Sequence, residues 1–106
     1  MTEEIRRATP ADVADITAMI HELAEFENAA DECAVTENQI SAALFGDLPT
    51  VRGHVTEISG EIGAMALWFL NFSTWDGVAG IYLEDLYVRP RYRRRGLARG
   101  LLATLA

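Results

Sequence analysis

Apolar residues recur along this chain with two different periods. Val13, Ile16, Ile20 and Leu23 lie three or four positions apart, with Met19 and Ala24 widening the stripe, which predicts an amphipathic helix. Thr9-Pro10-Ala11-Asp12 marks its start. Thr9 can cap, Pro10 suits the first helical position, and Asp12 sits in the electropositive first turn. Residues 26–35 are polar and acidic, and Asn28 and Asp31 break the helical pattern. Thr36-Glu37-Asn38-Gln39 is a capping box for a second helix whose apolar face is Ile40, Ala43 and Leu44, stopping at Gly46. The other segments carry strand patterns: a short one over 4–8 around Ile5, then 51–59, 62–72 and 78–88, the last bounded by Pro90. Ser59-Gly60-Glu61 and Trp75-Asp76-Gly77 connect them as tight turns. Residues 97–106 are rich in Leu and Ala and predict a third helix. The order β-α-α-β-β-β-α implies an α+β (mixed α/β) fold, helices packed on a sheet, with residues 1–106 forming one domain.

Composition narrows the class. Half of the 106 residues are hydrophobic, so a disordered chain is excluded. The longest apolar run, 64–70, is far below the ~20 residues that cross a bilayer. Residues 1–7 lack the apolar core of a secretory leader, and the single Cys33 suits a reducing compartment, so a cytoplasmic protein away from membranes is expected. One cysteine and two distant histidines, His21 and His54, give no metal site. Cys33 reads as a bystander and the two histidines as surface or satisfied side chains.

Charge changes the picture most. The chain carries a formal −7, but three arginines against sixteen acids leave −13 on residues 1–88, and six arginines put +6 on residues 89–106. A polyanion binder would be basic overall, so nucleic acid is not the expected partner. The basic segment, Tyr82 through Gly100, runs from a strand into an Arg- and Gly-containing loop and on into a helix. Such a junction aims backbone N–H groups and a helix dipole at an anion, most often a phosphate. Gly96 and Ala98 leave room for close approach, and the arginines add bidentate donors. The stretch is neither G-x-x-x-x-G-K-[ST] nor G-x-G-x-x-G.

Arg93-x-x-Gly96-x-Ala98 in that context resembles the acetyl-CoA motif of the GNAT N-acetyltransferases. Glu22-Leu23-Ala24-Glu25-Phe26-Glu27, the Thr36 box, and Trp75-x-Gly77 followed by Ile81-Tyr82-Leu83-Glu84-Asp85-Leu86-Tyr87-Val88 are similar to its diamine (spermidine/spermine) and thialysine acetyltransferase branch. The resemblance implies a central, mostly antiparallel sheet with flanking helices. It implies transfer of acetyl from acetyl-CoA to a primary amine of a small cationic molecule, whether polyamine, thialysine or lysine-like. It assigns the coenzyme to Leu86, Tyr87 and Val88, whose backbone would pair with the pantetheine arm, and to Arg93, Arg94, Arg95, Gly96, Leu97, Ala98 and Arg99 around the pyrophosphate. The amine falls to Phe26, Glu27 and Glu84, with Glu84 also accepting its proton and the Val88 N–H facing the developing oxyanion. Asp85 reads as structural or solvated. The resemblance further implies more strands and a helix beyond the third helix, carrying a tyrosine that protonates the leaving thiolate; a sheet cut there exposes a long strand edge, from which a homodimer is expected. The expectation is thus a chain holding about two thirds of the fold. Two other readings stay open: a catalytically incomplete coenzyme-binding or dimerising fragment, and an arginine-rich nucleic-acid module.

Overall fold

A computed structural model describes residues 3–106. The leader-free reading of residues 1–7 rests partly on Met1 and Thr2, which lie outside the described residues. Four strands, β1 (Glu3–Arg7), β2 (Arg52–Ile58), β3 (Glu61–Ser73) and β4 (Val78–Val88), form one sheet in the order β1-β2-β3-β4. All three pairings are antiparallel. The helices are α1 (Val13–Phe26), α2 (Glu37–Phe45) and α3 (Leu97–Leu105). These are the elements the periodicities predict, in the predicted order.

The two helical layers take opposite faces of the sheet. Ile16 and Met19 of α1 and Leu44 of α2 pack with Val55, Met65, Leu67 and Tyr87. Leu97 and Leu101 of α3 pack with Ile58, Ala64, Ala66 and Tyr92. Alternation along β3 explains the split, because Met65 and Leu67 point one way and Ala64 and Ala66 the other. The alanines let α3 come close. A Cβ on Gly100 would stand 3.0 Å from Ile5 Cδ1.

Local chemistry sets the boundaries. The Thr36 hydroxyl accepts the Gln39 amide, and the Gln39 side chain returns to the Thr36 amide. At α1 the expected start is delayed. Pro10–Asp12 form a 3-10 turn and the α-helix begins at Val13. The delay has a cause in Asp12, whose carboxylate accepts the Thr9 amide and is gripped by both terminal nitrogens of Arg6 at 2.7 and 3.0 Å. That grip ties β1 to the start of α1 and holds the Asp12 carboxyl below the usual carboxylate range. The far end of α1 stops where Asn28 enters the left-handed region (φ 58).

β3 and β4 outrun their neighbour. β2 reaches only as far as Trp68, so residues 69–82 form a two-stranded ribbon beyond the sheet. Leu70, Phe72, Val78, Ile81 and Tyr82 are exposed there, and Trp75 at its turn is 97 % exposed. Only Asp76 is charged between Phe69 and Leu83.

Candidate active site

The site forms where β4 ends and the arginine loop begins. β4 is an edge strand among the described residues. The Arg89 amide donates to the Gly63 carbonyl at 2.8 Å, which makes Val88–Ala64 a wide, non-bonded pair of the antiparallel ladder. The amide and carbonyl of Val88 therefore point to the open edge, and so, two residues back, do those of Leu86. The groups of Tyr87 point inward to β3. Its ring is buried in the α1 face, and its hydroxyl donates to Glu22 at 3.2 Å.

A bulge re-aims the acids. Leu67 pairs with Asp85 but Trp68 pairs with Leu83, so Glu84 is an extra residue in β4. Strict alternation would put Glu84 and Asp85 on opposite faces, but a bulge turns consecutive side chains to one side. Both line a cleft of about 350 Å³. Its walls include Ile20, Val35, Leu44 and Leu67, and Glu32 joins the two acids in its lining. Glu84 is exposed and Asp85 half-buried. Burial holds the Asp85 carboxyl above the usual range, with the charges of Glu84 and Glu27 adding to it. Glu27, at the C-terminal cap of α1, thus stands within electrostatic reach of Asp85. Phe26 is 67 % exposed and outside the core.

Sequence reasoning passed over Asp85 as structural or solvated. A signal was present, because two consecutive acids inside a strand cannot both face solvent when the sheet is covered on both sides.

The six arginines divide. Arg89 is spent on α1, reaching Asp15 at 3.2 Å and Glu22 at 3.1 Å, and also donates to the Ile62 carbonyl at 2.9 Å. Arg91 pairs with Glu61 at 3.6 Å. Arg93 donates through Nε to the Val88 carbonyl at 2.9 Å. Arg94, Arg95 and Arg99 are exposed around the start of α3, and the Arg95 guanidinium lies 5.5 Å from the Tyr92 ring. Tyr92 packs the loop: it is buried against Gly63, and its hydroxyl donates to Glu61.

The helix start itself is open. Gly96 caps α3 in the left-handed region (φ 77) without a side-chain cap bond, and Arg94 before it is also left-handed (φ 68). The first bond inside α3 is Gly100 to the Gly96 carbonyl. The amides of Leu97, Ala98 and Arg99 therefore have no helical acceptor. Leu97 and Ala98 border a cavity of about 290 Å³ that Val88, Tyr92, Arg93, Arg94 and Gly96 also line. A Cβ on Gly96 would meet nothing within 4 Å, so the approach to the backbone is clear. These features fit a pyrophosphate-bearing coenzyme. Among the described residues no group of His, Cys, Asp and Glu gathers as a metal site, and no helix is long and apolar enough to cross a membrane.

Comparison with known proteins gives a consistent picture. Residues 16–106 match the acetyltransferase (GNAT) family. The chain is 34 % identical over 110 residues to thialysine N-epsilon-acetyltransferase of Bos taurus, covering 96 % of this chain. It is 38 % identical over 103 residues to the Caenorhabditis elegans protein of the same name, covering 97 %. It spans 64 % and 62 % of the lengths of these two relatives. Similarity to the human spermidine/spermine N(1)-acetyltransferase-like protein 1 is 30 % over 110 residues, covering 97 % of this chain and 16 % of that one. In fold, the chain superposes on a possible acetyltransferase from Clostridium difficile 630 with a TM-score of 0.78 at 21 % identity, covering 98 % of this chain and 68 % of the other.

Proposed function

Because the chain belongs to the acetyltransferase (GNAT) family, we propose that it carries the donor site and amine site of an N-acetyltransferase, moving acetyl from acetyl-CoA to a primary amine of a small cationic molecule. Similarity to thialysine N-epsilon-acetyltransferases and to a spermidine/spermine N(1)-acetyltransferase-like protein favours a thialysine, lysine-like or polyamine acceptor. The observation that carries the reading is one continuous surface. Two outward backbone positions on an edge strand lead into an open helix start, and a bulge beside them turns Glu84 into an acidic cleft.

Acetyl-CoA supplies the activated thioester. Leu86 offers its edge amide and carbonyl, and Val88 its carbonyl, to an amide-bearing arm, as an added strand would take them. The amides of Leu97, Ala98 and Arg99, with Arg94, Arg95 and the bare Gly96, receive the pyrophosphate by helix-terminal charge and bidentate donors. Glu27, Glu84 and Asp85 attract the ammonium group. Glu84, exposed and unburdened by any described hydrogen bond, accepts the proton that the amine must lose before attack, directly or through a water. The Val88 N–H stays available to the acyl oxygen.

The remaining features support the finer parts of this reading. A lone half-buried thiol suits the cytoplasm. The apolar ribbon over residues 69–82 supports a homodimer. The nucleic-acid alternative loses support because Arg89, Arg91 and Arg93 are already engaged.

The test measures CoA-induced stabilisation and amine-dependent CoA release together. Millimolar CoA raises Tm, and Glu84→Gln keeps that rise while kcat drops about 10²-fold or more. Absence of any Tm rise would sink the coenzyme assignment. An undiminished kcat in the variant would remove Glu84 as the proton acceptor.

A further inference from the structure

Arg93 opens the anion loop and lines the cavity at the helix start, yet its side chain also reaches back to the end of β4 and to α1. Its Nε donates to Val88 at 2.9 Å, and its guanidinium lies 5.0 Å from the ring centroid of Phe26 and 5.7 Å from that of Tyr87. Both distances are within the range at which a cation is held by an aromatic face. Phe26 is the last residue of α1 and precedes Glu27. Glu22, one turn earlier on the same helix, is bonded by the Tyr87 hydroxyl and by Arg89. The last turn of α1 is therefore fastened to the end of β4 at two levels. The inner fastening joins Glu22 to Tyr87 in β4 and to Arg89 directly after it. The outer one, Phe26 with Arg93, hangs on a loop residue that, with Arg94, lines the anion cavity.

We propose that Arg93 is a positioning residue that couples the two sites: anion binding at residues 94–99 fixes the Arg93 side chain, which fixes Phe26 and Glu27 at the amine end of the cleft. The proposal rests on the function proposed above. A residue serving mainly as a phosphate ligand would turn its donors to the cavity, but the Nε of Arg93 is spent on Val88 and its flat face is near Phe26. Coupling of this kind is reciprocal, so the anion tightens the amine and the amine tightens the anion by the same factor. The factor is set by the contact that is gained. One exposed cation–aromatic contact corresponds to about a two- to fivefold change in affinity.

The experiment uses the chain labelled with ¹⁵N and inorganic pyrophosphate as probe, an anion too small to span from the α3 start to Phe26. In the wild type, pyrophosphate shifts the amide signals of residues 94–99 and also those of Phe26 and Glu27. In Arg93→Lys, which keeps the charge but loses the planar fork and its Nε donor, the loop signals still shift and the Phe26 and Glu27 signals stay put. Phe26→Leu gives the same loss at Glu27, with a pyrophosphate Kd no more than fivefold above the wild type. Shifts confined to 94–99 in the wild type, or undiminished transmission in Arg93→Lys, would overturn the coupling. So would a pyrophosphate Kd raised more than fivefold in Arg93→Lys, which would make Arg93 a direct ligand. No shift at 94–99 in the wild type would instead remove the anion loop itself, and the coupling with it.

Discussion

Gly96→Ala separates backbone conformation from ligand binding at the helix start. Nothing lies within 4 Å of the new methyl group, so the substitution brings no clash and its cost is conformational. Holding a non-glycine residue left-handed costs roughly 1–2 kcal/mol. The stiffer unfolded chain gives back about 0.4–1 kcal/mol. The net loss is about 1 kcal/mol, which for a domain of this size lowers Tm by about 5 °C. Gly60 (φ 88) and Gly77 (φ 72) share both properties, a positive φ and open space, and lie in the two hairpin turns rather than at the start of α3. Gly60→Ala and Gly77→Ala should therefore lose similar stability by calorimetry. Only Gly96→Ala should also weaken CoA, by about tenfold, because its methyl group and any relaxation of φ fall on the amides that face the anion. Equal CoA affinity in all three variants would refute the assignment of the anion to this helix start. A Gly96→Ala protein as stable as the wild type would refute the conformational reasoning.

Two further substitutions test the electrostatics. Burial and the charges of Glu84 and Glu27 hold the Asp85 carboxyl above its ordinary range, so its favourable contribution is complete below the unfolded pKa, near ~3.9, and is lost as pH rises through the raised folded value. Asp85→Asn should therefore raise Tm at pH 7 with the gain fading toward pH ~4, while amine KM rises; a Tm gain that is the same at both pH values would contradict this. Arg89→Met strands Asp15, Glu22 and the Ile62 carbonyl and should cost about 2 kcal/mol in urea denaturation, against about 1 kcal/mol for Tyr87→Phe. A smaller loss from Arg89→Met than from Tyr87→Phe would show that the pairs contribute little.

The elements were legible because their signals are local. Thr36 and Gln39 cap each other three residues apart, and the α1 stripe repeats within one helix. The site was legible only in outline. Alternation along a strand says nothing about where an extra residue enters, so the bulge at Glu84 and the shared face of Glu84 and Asp85 stayed hidden. The arginine cluster reads as six equivalent charges, but the partners that claim Arg89 are Asp15 and Glu22, 74 and 67 residues away. The delayed start of α1 has the same origin in part, since Arg6 reaches Asp12 from a strand that pairs with β2.

The ribbon over residues 69–82 gives the molecule two unequal stabilities. Apart from the turn bonds among Ser73, Asp76 and Gly77, the ladder of that stretch joins β3 to β4 alone among the described residues, and β2 does not extend beyond Trp68. Opening it from the Trp75 turn breaks a short ladder and uncovers little that water does not already reach, whereas opening the sheet below Trp68 must expose Met65, Leu67 and Tyr87 at once. The bulge at Glu84 lies at this boundary. The ribbon can fray as a unit while the cleft and the anion loop stay folded, so the most apolar surface of the chain is also its least protected backbone.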